Sequence, residues 1–188
     1  MRKFFVFLLA VFCFFMLTDQ ALAKKSVKKR VEFVSEALIM QAAKELGAFD
    51  HKLVLAVVRI ESGTNRFAYN GKDKDGRGTY GLMQLKVATA RYMGFQGSYQ
   101  DLYDWRTNLK FGIRYLNYQF RRYGSVPSAL AAYNAGSVII CKGKKKRCQA
   151  GTFVNQSYVR SVLYHYRRIL DQDMNSKQQP LLVASVRK

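Results

Sequence analysis

A chain of 188 residues has the length of one domain with a sizeable core. Lys and Arg number 32 against 12 Asp and Glu, a formal charge of +20, so the surface favours polyanions. No nucleic-acid-binding motif accompanies that charge, and the chain opens with an export segment; together these argue against nucleic acid as the partner.

Residues 1–23 read as a signal peptide. Arg2 and Lys3 supply the positive start, Phe4 to Leu17 is apolar, and Ala21-Leu22-Ala23 offers a small-x-small cleavage site. The apolar run is short for a membrane span, which takes roughly 20 residues. The protein is therefore expected to be exported, periplasmic or secreted, touching membrane only through this segment or by surface charge. Residues 24–34 form a basic lead-in that is expected to be mobile.

Ser35 can cap a helix through EALIMQAAKEL that Gly47 ends. Asp50 then caps a second helix, in which Leu53, Val54, Val57 and Ile60 recur at helical spacing until Gly63. The stretch Thr64 to Thr79 is rich in turn formers, and a short helix follows, stopped at Gly94. Trp105 to Tyr123 is a longer helix with Leu109, Ile113, Leu116 and Phe120 on its apolar stripe. Ser125 with Pro127 opens another into ALAAYNAG, and a last helix spans about Ser157 to Leu170. No strand pattern of any length and no internal repeat appears, so the expected fold is all-α. The expected domain runs from 35 to 171, followed by a tail, 172–188.

Glu61 is the acid that stands out. It falls four residues after Val57 and seven after Val54, and so projects along the buried stripe. Burial disfavours a charged carboxylate and raises its pKa. A carboxylic acid kept protonated near neutral pH is what general-acid cleavage of a glycosidic bond requires. The competing reading is a helix-end glutamate that turns to water or pairs with a nearby cation. The next acids, Asp73 and Asp75, lie in a loop, with Asp101 and Asp104 much later, and no motif fixes any of them opposite Glu61.

Cys141 and Cys148 bracket the basic loop CKGKKKRC and are candidates for a disulfide in an exported chain. Closing so small a loop would stabilise the fold by roughly 2–3 kcal/mol. His51 and His165 lack metal-ligand spacing, so no metal site is expected.

Four blocks occur in a fixed order: Glu61-Ser62 with Asn65, then Gly81-Leu82-Met83-Gln84, then Asn108 with Gly112, Tyr115 and Leu116, then Ala132-Tyr133-Asn134-Ala135-Gly136; Tyr158-Val159 follows them. Together they resemble the lytic transglycosylases of the Slt type, over roughly residues 36 to 170. The resemblance implies a single helical domain of the goose-type lysozyme-like class and a peptidoglycan glycan strand as substrate, without a cofactor. It implies that Glu61 protonates the oxygen between N-acetylmuramic acid and N-acetylglucosamine, then takes the proton of the muramyl C6 hydroxyl as a 1,6-anhydro end closes. Tyr133 would hydrogen-bond Glu61. Met83 and Gln84 would line sugar subsites, with Gly81 turning beneath the sugar, and Ser62, Asn134 and Tyr158 would shape the groove. Where family members often carry a serine nine residues after the glutamate, this chain has Asn70, whose amide could serve the same N-acetyl contact. Envelope-spanning machinery is a candidate partner. Two alternatives stand beside this: a muramidase using Asp73 or Asp75 to activate water, and a wall-binding module without activity.

Overall fold

The computed structural model describes residues 30–71, 78–143 and 149–186, with side chains as far as 176. From Val31 onward the chain is one compact unit. The expected signal segment, Asp73, Asp75 and Cys148 lie outside the described residues.

Among the described residues six α-helices carry the fold. Helix α1 (Glu36–Glu45) begins where the Ser35 hydroxyl accepts from the Leu38 amide at 3.3 Å. Helix α2 (His51–Glu61) begins at Asp50, whose Oδ1 accepts from the amides of Lys52 and Leu53 at 2.9 and 3.0 Å. Asp50 Oδ2 also accepts from the Tyr166 hydroxyl, tying this cap to the last helix. Both caps satisfy amides that a helix start leaves bare.

Leu53 to Val58 are all buried, so the middle of α2 is apolar on every side. Such a helix has to be central. It packs against α1 on one flank and α6 (Gln156–Val186) on another. A second group forms around α4 (Trp105–Tyr123), which contacts α5 (Val126–Ala135), α1 and the short α3 (Val87–Tyr92); α5 in turn meets α6. Burying each large apolar side chain contributes roughly 1.5–3 kcal/mol.

The stretch 64–79 is less irregular than its composition predicts. Tyr69–Asn70 (β1) pairs antiparallel with Thr79–Tyr80 (β2). A ladder of two residues leaves no period to read in the sequence. A single 3₁₀ turn, Tyr99–Tyr103, also went unpredicted; Asp101 accepts from the amide and hydroxyl of Ser98 to fix its start.

Two expectations at the chain ends are corrected. The lead-in is tied down from Glu32: its amide donates to Asn65 Oδ1 at 3.0 Å, and the Val34 amide donates to the Thr64 carbonyl at 3.0 Å. Helix α6 does not stop near Leu170 but continues to Val186. Residues 171–179 contain no Gly or Pro to stop it, and Lys52 of α2 pins the extension through Asp173 at 2.5 Å.

Candidate active site

Glu61 is the last residue of α2, where the buried body of the helix gives way to partial exposure. The residue is half-buried, with one edge reaching solvent. The Tyr158 hydroxyl, from the first turn of α6, donates to Glu61 Oε1 at 2.7 Å. Burial pushes the Glu61 carboxyl up to about 7, against the opposing effect of that hydrogen bond. The negative end of the α2 dipole acts in the same direction as burial. Near neutral pH the group is thus divided between acid and carboxylate, the condition under which one residue can give a proton and take one back.

Tyr133 sits close enough that the Glu61 charge, after burial, helps push its hydroxyl well above the ordinary tyrosine value. The same causes hold Tyr158 protonated. The expected partnership differs, however. Tyr133 donates to the Met83 carbonyl at 2.8 Å, and Tyr158 is the residue that holds Glu61.

The run 81–84 is a tight turn closed by reciprocal backbone bonds between Tyr80 and Leu85, each 3.0 Å. Gly81 adopts φ +73, and a Cβ there would lie 2.3 Å from Asn108 Nδ2 and 2.4 Å from the Leu102 carbonyl. Glycine is required by that close approach to the protein's own core. Met83 is fully buried, seated where Gly112 of α4 lacks a side chain; a Cβ at Gly112 would meet Met83 Sδ at 2.3 Å. Its side chain lines no sugar subsite.

Gln84 is likewise committed. Its Nε2 donates to the carbonyls of Ala68 (3.1 Å) and Gly81 (2.9 Å), and its Oε1 accepts from the Thr79 hydroxyl at 2.8 Å. Both amide protons are spent on the turn. Gln84 has φ 45, a left-handed conformation that a non-glycine residue adopts only when its surroundings over-determine it. The three side-chain bonds supply that constraint.

Asn108 completes the lock. Wholly buried in α4, it accepts from the Met83 amide and donates to the carbonyls of Tyr80 and Leu102, each at 2.8 Å. The turn is thereby bolted to α4 by Asn108 and to α5 by Tyr133. Sequence reading took Asn108 only as part of a motif; a lone Asn between the core residues Leu109 and Leu102 was the available signal.

Of the remaining predicted residues, Ser62 donates to the Val58 carbonyl at 3.2 Å as the helix ends. Asn134 is exposed, accepting from Asn155 Nδ2 at 3.0 Å. Asn70 is exposed on β1. Cys141 is disulfide-bonded. Among the described residues no cluster of three His, Cys, Asp or Glu is placed to hold a metal, and no helix is long and apolar enough to cross a membrane.

Residues 38–154 match the transglycosylase SLT domain. The chain belongs to that family, the Slt-type lytic transglycosylases. It is 27% identical over 162 residues to the membrane-bound lytic murein transglycosylase E of Buchnera aphidicola, covering 78% of this chain and 70% of the relative. Against the transglycosylase of Enterobacteria phage PRD1 it is 35% identical over 102 residues, which is 54% of this chain and 35% of that one. The lytic transglycosylase Slt of Pseudomonas aeruginosa, solved as its inactive E503Q mutant, superposes with a TM-score of 0.55 at 25% identity over 84% of this chain. This chain corresponds to only 27% of that larger protein, so the likeness is to its lysozyme-like helical domain.

The Tyr158–Glu61 bond makes a signed prediction for this family member. Tyr158→Phe removes the interaction that lowers the Glu61 pKa, so the alkaline fall in activity moves above pH 7. Its maximal rate drops roughly tenfold, the loss of one charge-assisted hydrogen bond to the carboxylate that forms as the proton leaves. A pH–rate profile of both proteins checks it; a lower rate with an unmoved profile would make Tyr158 a packing residue only.

Proposed function

We propose that this protein cleaves peptidoglycan between N-acetylmuramic acid and N-acetylglucosamine, leaving 1,6-anhydromuramyl ends, with Glu61 as the sole acid and base. The observation that carries the proposal is the carboxyl poised near pH 7 at the end of a buried helix with one tyrosine donor on it. Protonated Glu61 gives its proton to the glycosidic oxygen as the C1–O bond breaks, releasing the C4 hydroxyl of N-acetylglucosamine. The muramyl C6 oxygen then bonds to C1, and its proton returns to the Glu61 carboxylate. No water is consumed, and the nucleophile is already attached to the reacting ring, which carries a large intramolecular advantage.

Tyr158 donates to Glu61 throughout, steadying the carboxylate between the two proton transfers. Burial, then the Glu61 charge and the Tyr115 hydroxyl, hold Tyr133 protonated, and it fixes the turn beside the carboxyl. Both hydroxyls therefore keep their protons across the working pH range. The bacterial relative, a lytic murein transglycosylase, supports the substrate class, and the expected 23-residue leader supports export to the compartment where that polymer lies.

Mass spectrometry of products from purified peptidoglycan decides the chemistry. Muropeptides lighter than the hydrolysis products by one water are expected. Reducing ends in their place, lost on Asp73→Asn or Asp75→Asn, would establish the muramidase. No cleavage of any wall preparation would leave a binding module.

A further inference from the structure

A concavity beside Tyr133 has no part in the chemistry above. Its volume is about 330 Å³, and Thr89, Tyr92, Tyr115, Tyr118, Gln119 and Arg122 form most of its wall. That is the lower end of the size range of small-molecule sites. It borders the turn-fixing Tyr133, since the Tyr115 ring lies 5.3 Å from that of Tyr133.

Two features of the wall call for a ligand. Gln119 is 1% exposed, and its Oε1 has no hydrogen-bond partner. A buried amide oxygen left bare is costly and rare, and it needs an N–H or O–H donor. One helical turn further along, the Arg122 guanidinium is exposed at the rim. It reaches only the Tyr118 hydroxyl, at 3.5 Å, and the Tyr123 ring; no carboxylate among the described residues pairs with it. Tyr92, 66% exposed, stands edge-on to Tyr118 at 5.6 Å and gives the pocket an aromatic side.

We propose that this pocket holds the peptide carried by the muramyl residue, taking an amide N–H on Gln119 Oε1 and a peptide carboxylate on Arg122. The proposal rests on peptidoglycan being the substrate. The sugars of the strand offer amide N–H groups but no carboxylate once the lactyl group is amidated; the stem peptide offers both. A guanidinium beside an amide acceptor selects the peptide. The pocket therefore sets a preference for peptide-bearing strands over stripped ones.

The test compares KM on intact peptidoglycan and on the same strands stripped of peptide by an amidase, with the lactyl carboxylate so freed capped as its methylamide. The natural protein should show a KM at least about tenfold lower on the peptide-bearing strands, the contribution of one charge-assisted contact. Gln119→Leu and Arg122→Met should each bring the ratio of the two KM values toward one. Arg122 is exposed, so its replacement keeps the fold even where Gln119→Leu does not. Equal KM values for the natural protein, or a ratio unmoved by Arg122→Met, would overturn the proposal. Cleavage of stripped strands reports separately on the transglycosylase reading. Should neither substrate be cut, calorimetric titration of an N-acetylmuramyl peptide into the natural and Arg122→Met proteins still decides the pocket: about tenfold weaker binding by the variant supports it, and equal affinity overturns it.

Discussion

Glu61→Gln is expected to abolish cleavage and, above neutral pH, to stabilise the protein. The first effect follows from the double duty of one carboxyl. Glutamine cannot give a proton to the glycosidic oxygen or take one from the C6 hydroxyl, and among the described residues no other carboxylate contributes to the titration at this point of the groove. Loss of general acid–base catalysis costs about 10²–10⁴-fold in a single step, and both steps are affected here. Turnover should fall by at least about 10³-fold.

The second effect follows from the sign of the pKa shift. The folded protein holds the Glu61 proton up to about pH 7, whereas the unfolded chain releases it near 4.5. A raised pKa means that the folded state is favoured fully below 4.5, and that this contribution is lost as pH rises through 7. Glutamine has no charge to bury and loses nothing. The variant should match the natural protein near pH 4 and exceed it at pH 8 by roughly 1–3 kcal/mol, which is a few degrees to about ten in Tm for a chain of this size. The solvent-reaching edge of Glu61 places the expected gain toward the lower figure. Thermal melts of both proteins at pH 4 and pH 8 measure it. If the difference between them does not change with pH, the carboxyl is well solvated, and its role as an acid at neutral pH loses its physical basis.

How much of this was legible in the sequence depended on how local each cause was. Ser35, Asp50 and Ser125 could be read as helix caps because a cap is decided within three residues. Glu61 could be read as buried because periodicity alone puts it on the apolar stripe. The partner of Glu61 was a different matter. Tyr133 and Tyr158 are both near, and which hydroxyl reaches the carboxyl is set by how α5 and α6 pack, 97 residues along the chain in the case of Tyr158. Met83 went astray for a related reason. A motif fixes residue types and order, but the direction of each side chain comes from the turn, and this turn aims Met83 inward. Position 84 gave no warning of its positive φ, since glutamine carries no preference for it. The N-terminal lead-in looked mobile by composition, yet Asn65 holds it with one side-chain oxygen shared between the Glu32 and Phe67 amides.

Asn108→Leu is expected to be the most damaging single change away from Glu61. Leucine shares the branched shape of asparagine and suits a helix better, so shape and propensity alone would predict a tolerated replacement. The hydrogen bonds predict the opposite. Three 2.8 Å bonds disappear, leaving the Met83 amide and the Leu102 carbonyl without partners, while the Tyr80 carbonyl keeps only the Leu85 amide. Each orphaned group costs about 1–3 kcal/mol, so a loss of at least about 2 kcal/mol is expected, or some 4–8 °C in Tm. The damage should also reach catalysis. With the Met83 amide released, its carbonyl no longer presents a fixed acceptor to Tyr133, and the wall beside Glu61 loosens. Asn108→Asp separates the two consequences. The carboxylate can still accept from Met83 but cannot donate to Tyr80 and Leu102, so it should lose stability while retaining more activity per folded molecule than the leucine variant. Melting curves paired with turnover on peptidoglycan, corrected for the folded fraction, measure both. Equal specific activity in the two variants would mean that the Asn108–Met83 bond holds the fold alone and does not position the site.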